Sequence, residues 1–140
     1  EAFSLEADFI ERITNIQKYL VEIEKLDEER LDHVKARLRK AIDELKVTID
    51  ENRFEQELIY YLEKLDINEE KVRLANHLEY FLKELATDKS DGKKLGFIVQ
   101  EIGREINTTG SKSNYATMQQ VVVQMKNELE KIKEQVLNIL

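Results

Sequence analysis

The chain has 140 residues with no cysteine and no proline, so disulfides, thiolate catalysis and zinc–sulfur sites are excluded and we expect a cytoplasmic protein. Charged residues make up 36% and hydrophobic residues 41%, which predicts a single helical domain with solvated faces, or one domain with an arm. The net charge of −7 argues against a generic nucleic-acid binder, and no apolar run approaches the length of a membrane span.

The first fifty residues carry two predicted helices. Apolar side chains recur at alternating spacings of four and three, which is the pattern of a helix with one buried seam. In the first helix they are Phe9, Ile13, Ile16, Leu20 and Ile23; in the second they are Leu31, Val34, Leu38, Ile42 and Leu45. Because Asp27 is a suitable cap between them, we predict an antiparallel hairpin arm over residues 1–50, followed by a helical domain over residues 51–140.

The remaining ninety residues predict four more helices: about 54–65, a helix capped by Asp66 that carries Val72 to Leu85, about 93–108, and a last helix capped by Ser113 or Asn114. Asp66 and Glu69 match a capping box at the start of the second of these. Gly110 is predicted to end the third as a C-cap. The last helix keeps an apolar seam from Met118 to Ile139. The predicted fold is therefore all-α: a helical hairpin followed by a bundle with a long, coiled-coil-like C-terminal helix.

Residues 91–115 contain a mixture that helix building alone does not require. Glu101 and Glu105 lie one turn apart and project from the same flank of their helix. Such a pair either binds a divalent cation, which prefers carboxylate oxygens, or forms a solvated acidic face relieved by Arg104. His77, in the preceding helix, is either a half-buried histidine or a metal ligand and acid–base group.

The segment from Gly110 to Ser113 adds a second candidate. It resembles a turn that cradles an anion at the N-terminus of a helix, where backbone N–H groups and the helix dipole favour phosphate. The alternative is a plain helix cap. Lys94 and Lys112 would contact phosphate in the first interpretation and would be ordinary surface lysines in the second.

From about Glu55 onward the sequence resembles the C-terminal domain of the YicC-like endoribonuclease family. The matching pieces are Asp66-Ile67, Glu69-Glu70, Arg73-Leu74, His77-Leu78, Phe81, Gly92 to Leu95, Phe97, Gln100-Glu101, Arg104-Glu105, Asn107-Thr108, Gly110 to Ser113 and the closing helix from Val122 to Asn138. The chain departs from the family pattern at Gly96, where an Asp is expected, and at Gly103, where an Asn is expected. The chain starts Glu-Ala-Phe, and we expect it to be the C-terminal part of a longer protein with an N-terminal domain.

The resemblance implies a metal-dependent endoribonuclease that cleaves RNA phosphodiester bonds. Glu101, Glu105 and His77 would then be catalytic and would hold Mn²⁺ or Mg²⁺. The residues expected to contact RNA phosphates are Arg73, Lys94, Gln100, Arg104, Asn107, Ser111 and Lys112. The resemblance also implies a homo-oligomer, a hexamer in the longer protein. The alternative function is a helical oligomerisation or scaffold module without catalysis of its own.

Overall fold

The computed structural model describes residues 2–87 and 91–139, with side chains described from Leu5 onward, and it forms five helices over those ranges. They are α1 Ala2–Glu44, α2 Glu51–Lys64, α3 Asn68–Leu85, α4 Gly92–Lys112 and α5 Ala116–Ile139. The predicted all-α class is confirmed. Within the described ranges, no helix has both the length and the apolar character needed to cross a bilayer.

The predicted hairpin turn at Asp27 is wrong, because α1 is one helix of 43 residues. The segment around Asp27 contains no glycine or proline, and its Glu, Lys, Leu and Arg residues favour helix, so nothing ends α1 there. The chain turns later, between α1 and α2, where Lys46 adopts a left-handed φ of 54°. Asp50 then caps α2 by accepting from the N–H groups of Asn52 and Arg53.

The end of α1 and the whole of α2 form an arm, defined here as residues 35–64. Arg39 donates to both carboxylate oxygens of Glu51, at 2.7 and 2.9 Å, and Arg30 donates to the carbonyl of Leu65 at 2.7 Å, so α2 runs antiparallel to α1. No residue between Val34 and Ile67 is buried. The hairpin therefore exists, but it projects from the core and lies later in the chain than the sequence predicts.

The first part of α1 joins α3, α4 and α5 in a four-helix core. α1 and α4 each pack against both α3 and α5, so α1 and α4 lie at opposite corners. The apolar stripes predicted for α1, α4 and α5 are buried there, and Phe9 meets Phe81 edge to face with ring centroids 5.5 Å apart. Asp66 accepts from the Asn68 N–H at the start of α3, while Glu69 binds Arg73, so only half of the predicted capping box forms.

Three glycines of α4 face α5 and define what we call the glycine seam. Gly96, Gly103 and Gly110 are seven residues apart and lie on one face. A Cβ atom added to them would lie 3.6 Å from Val136, 3.2 Å from Leu129 and 3.1 Å from Val122, respectively. The last two distances are tight, so the missing side chains at Gly103 and Gly110 let the helices approach closely. Gly110 is not the predicted C-cap: α4 continues to Lys112 and no glycine has a positive φ in the described ranges.

Candidate functional site

The contact between α3 and α4 is built from buried carboxylates covered by partly exposed cations. Lys94 lies 3.2 Å from Glu84, and Lys112 lies 3.0 Å from Glu70. Arg73 pairs with Glu105 between them. Since a carboxylate taken out of water needs a partner, each cation is fixed by the acid beneath it. The pairs also show that α3 and α4 run antiparallel.

Arg73 makes the most extensive of these contacts. Its Nε donates to both carboxylate oxygens of Glu105 at 3.0 Å, and its Nη1 donates to Glu69 at 3.1 Å. These bonds, first to Glu105 and then to Glu69, raise the pKa of Arg73. Glu105 is only 5% exposed, whereas the Arg73 side chain is 46% exposed. Arg73 therefore neutralises a buried acid and keeps one face open to a ligand.

A second cluster ties this contact to α1. Arg30, only 1% exposed, donates to Asp27 at 2.7 Å and to the carbonyls of Leu65 and Lys112 at 2.7 and 3.1 Å. Lys71 donates to the other oxygen of Asp27 at 3.0 Å. One guanidinium thus holds the end of α2 and the end of α4 against the middle of α1.

We call these charged contacts together the charged seam, of which the Glu84–Lys94 pair is a separate end. Its members come from α1, α3 and α4 and are Asp27, Arg30, Glu70, Lys71, Arg73, Glu84, Lys94, Glu105 and Lys112. The sequence interpretation missed its α1 members. A signal was present in the sequence. The four–three spacing of the buried α1 stripe continues through Ile23, Asp27, Arg30 and Val34. Because Asp27 and Arg30 are in phase with the apolar core, this spacing predicts a buried ion pair.

The residues predicted to hold a metal do not form a ligand set in this chain. The Arg73–Glu105 pair places His77 and Glu101 at the same level, one turn further along the two antiparallel helices. Within residues 2–87 and 91–139, however, no group of three or more His, Cys, Asp or Glu side chains is arranged to hold a metal ion. Glu105 is already bound by Arg73. His77, Glu101 and Glu105 therefore do not fit a metal ion as folded, and their catalytic role stays a prediction.

The predicted anion-cradling turn is also placed differently. Gly110, Ser111 and Lys112 form the C-terminal end of α4, where carbonyl oxygens rather than N–H groups are free. Gln119 donates to the Gly110 carbonyl, and the Lys112 amine donates to Glu70 and to the Asp66 carbonyl. The cradle geometry is therefore wrong. That Ser111 and Lys112 contact RNA stays a prediction.

The outer face of α4 carries a row of residues that includes no acid. The row, called the α4 row below, is Lys93, Phe97, Gln100, Arg104, Asn107 and Ser111, and all six are exposed. Their alternating spacing of four and three aligns them along about 27 Å of helix. Four of the predicted RNA-binding residues lie here; Arg73, Lys94 and Lys112 belong to the charged seam. In a chain with 29 acidic residues, an acid-free row is a local exception.

Comparison with known proteins shows which family the chain resembles. Residues 23–140 match the family described as "Endoribonuclease YicC-like, C-terminal". The chain is 38% identical over 142 aligned residues to a "Probable endoribonuclease YicC" of Clostridioides difficile strain 630, covering 99% of this chain and 48% of that protein. A protein of the same name from Haemophilus influenzae is 34% identical over 103 residues, covering 74% of this chain and 36% of that protein.

The chain thus spans about half the length of the curated relatives it matches, or less. The family match covers the core helices that carry the charged seam, the glycine seam and the α4 row. The chain belongs to the YicC-like endoribonuclease family, whose C-terminal domain it matches.

Proposed function

We propose that this chain contributes to an endoribonuclease that cleaves RNA phosphodiester bonds. The observation that carries the proposal is the 38% identity, over 99% of this chain, to a protein named a probable endoribonuclease. The arrangement of the chain's own residues supports it, because cations with exposed faces lie beside partly exposed acid–base groups.

Cleavage of a phosphodiester needs two things from the protein. Cations must hold the phosphate and balance the charge that grows on it, and a base must take the proton from the attacking oxygen. Arg73 and Arg104 are our candidates for contacting phosphate, since both are exposed arginines beside the α3–α4 contact. His77 and Glu101 lie at one level of the α3–α4 contact and are our candidates for proton transfer.

Glu105 has a conditional role in this proposal. Its carboxylate is covered by Arg73. An RNA phosphate that draws the guanidinium outward would leave Glu105 with a free carboxylate one turn from Glu101. Binding of substrate would then free Glu105 to act beside Glu101, and Arg73 would otherwise keep Glu105 neutralised.

A requirement for Mn²⁺ or Mg²⁺ stays a prediction of the family resemblance. The described residues of one chain supply no three-ligand set for such an ion. We therefore assign no chemical step to a metal. A cleavage assay with added Mn²⁺, added Mg²⁺ or a chelator tests the requirement directly.

The function is tested with the purified chain and an end-labelled RNA. We expect Glu101→Gln to lower the cleavage rate at least about 100-fold, the usual effect of losing an acid–base group, while the helical circular dichroism is unchanged. Glu79→Gln, an exposed acid elsewhere on α3, is the matched control and should cleave at the parental rate. If Glu101→Gln and Glu105→Gln both cleave like the parent, the site is misassigned.

A second candidate, assembly without catalysis, is favoured by the arm. Its α2 has no buried residue, yet it exposes Ile59, Tyr60 and Tyr61, and the turn before it exposes Leu45 and Val47. A short helix with no buried face gains little stability by itself, and an exposed apolar patch marks an interaction surface. A homo-oligomer joined through the arm would cover it.

Sedimentation velocity at tens of micromolar separates the two candidates. Under the assembly function we expect the parent to sediment as an oligomer and Ile59→Ser/Tyr60→Ser to shift it toward monomer. A parent that is monomeric at that concentration would contradict assembly by this chain alone. RNA cleavage by a variant that stays monomeric would show that catalysis does not depend on the arm.

A further inference from the structure

A groove lies between the first turns of α4 and the last turns of α5, outside the charged seam. Its volume is about 590 Å³, and the side chains used in the argument below are Lys93, Gly96, Phe97, Gln100, Lys133 and Leu137. Phe97 is 62% exposed and Leu137 is 68% exposed. These two side chains line the same groove, and neighbouring exposed apolar side chains of this kind form a patch that is typical of an interaction surface.

The glycine at the floor keeps the groove open. Gly96 has no side chain, and a Cβ atom there would be in ordinary contact with Val136 at 3.6 Å. Packing against α5 therefore does not require glycine at this position, in contrast to Gly103 and Gly110, where a Cβ would be tight. Gly96 therefore lines the groove next to Phe97 without placing a side chain in it.

The charges at the rim select the kind of ligand. Lys93 and Lys133 line the groove, and no carboxylate does so among the described lining residues. The Lys133 amine lies 3.2 Å from Glu130, but both side chains are largely exposed, so water weakens that pair and the amine is available to another anion. An aromatic wall, an apolar floor and a cationic rim match a nucleotide, whose base is flat and apolar on its faces and whose phosphates are anionic.

We propose that this groove binds an unpaired nucleobase of single-stranded RNA, with Phe97 stacked on the base and Lys93 and Lys133 on the flanking phosphates. The inference rests on the proposed function, because it takes RNA as the ligand. It adds the form of the substrate: a base inside a duplex is already stacked and cannot enter a groove, so the strand must be unpaired here. From the groove the strand follows the α4 row past Gln100.

The site is tested by fluorescence anisotropy with a labelled oligouridine and with a duplex of the same length. We expect the parent to bind the single strand more tightly than the duplex. Phe97→Ala should weaken single-strand binding at least about fivefold, the lower end for losing one stacked base. Phe97→Trp should retain the affinity because the ring is kept. Val123→Ala removes an exposed apolar side chain of α5 outside the groove and is the matched control.

A second pair of variants blocks the groove without removing the ring. Gly96→Leu fills the space beside Phe97 and should weaken binding as Phe97→Ala does, whereas Gly96→Ala adds one methyl group and should change it little. Both replace a helical glycine with a better helix former, so we expect both variants to stay folded. Circular dichroism of each variant checks this.

The outcomes separate this inference from the proposed function. Cleavage that persists while Phe97→Ala binds RNA like the parent overturns the groove and leaves the endoribonuclease standing. Ring-dependent binding of RNA that neither the chain nor a longer protein containing it cleaves supports the groove and contradicts the function. If inorganic polyphosphate competes with RNA equally well, the groove recognises charge alone. If Phe97→Ala changes the oligomeric state and leaves the RNA affinity unchanged, the groove binds a second copy of the chain. Either result overturns the proposal.

Discussion

Helix α4 is held on its two sides by different kinds of contact. Toward α3 it meets the charged seam, where each buried acid has a cation fixed above it. Toward α5 it meets the glycine seam, where missing side chains let two helices approach. The first kind depends on which charges are present, and the second depends on shape. One helix can therefore carry a buried carboxylate on one side while close packing fixes its position from the other.

The two seams should respond differently to substitution. Removing one member of an ion pair leaves its partner without compensation in a poorly solvated site, so the cost comes from the group that remains. Removing a side chain at the glycine seam leaves a cavity whose cost depends on how far the neighbours can collapse. Changes of pH should act on the first seam and not on the second.

Arg30→Ala should give the largest loss of stability. The change removes the cation beside Asp27 and the donor to two carbonyls, and it empties a buried volume. We expect a loss of roughly 3–5 kcal/mol, the range for breaking a buried pair, measured by urea unfolding. Arg30→Lys should also destabilise, because one ammonium cannot copy the planar fork. If Arg30→Lys is as stable as the parent, the planar guanidinium group is not required for stability.

Leu129→Ala should cost about 2–5 kcal/mol at the glycine seam, since Leu129 is buried against Gly103. Adding Gly103→Ala to that variant should recover about 1 kcal/mol, because the methyl group enters vacated space and alanine favours helix. In the parent the same methyl lies 3.2 Å from Leu129, so the gain in helix propensity is offset by crowding. A double-mutant cycle in urea measures this coupling; purely additive effects would contradict direct packing.

Much of this fold could be predicted from residue spacing. The buried stripes of α1, α4 and α5 were predicted because apolar periodicity reports burial wherever a helix has one core face. The turn at Asp27 was wrong because a good cap residue does not end a helix when its neighbours all favour helix. Gly110 was assigned to a cap because a glycine near a helix end has the same sequence signal whether it ends the helix or packs against a neighbour.

The site was less accessible to sequence reasoning than the fold. Which acid meets which cation depends on the register between α3 and α4, and spacing within one helix does not contain that register. Glu101 and Glu105 share a flank as predicted, but the pairing of Glu105 with Arg73 separates their environments. The acid-free α4 row, in contrast, follows from the sequence once the boundaries of α4 are known.

The smallest expected effect is the pH dependence of Lys94 in the charged seam. Its amine lies near the Tyr80 ring and 3.2 Å from Glu84, and these two neighbours, Tyr80 first, raise the pKa of Lys94. A group whose pKa is raised by folding stabilises the fold below its unfolded-state pKa, and it loses that contribution as pH rises through the folded-state pKa. The stability difference between the parent and Lys94→Met should therefore be present at neutral pH and vanish at strongly alkaline pH, as measured by urea midpoints.

Tyr80→Phe should bring the pKa of Lys94 back toward the ordinary lysine value in a ¹³Cε titration. Leu129→Ala should show the same loss across that pH range, because no titrating group is involved. If the Lys94→Met difference also stays constant, the side chain acts through its methylenes, and this end of the charged seam is held by packing, as the glycine seam is.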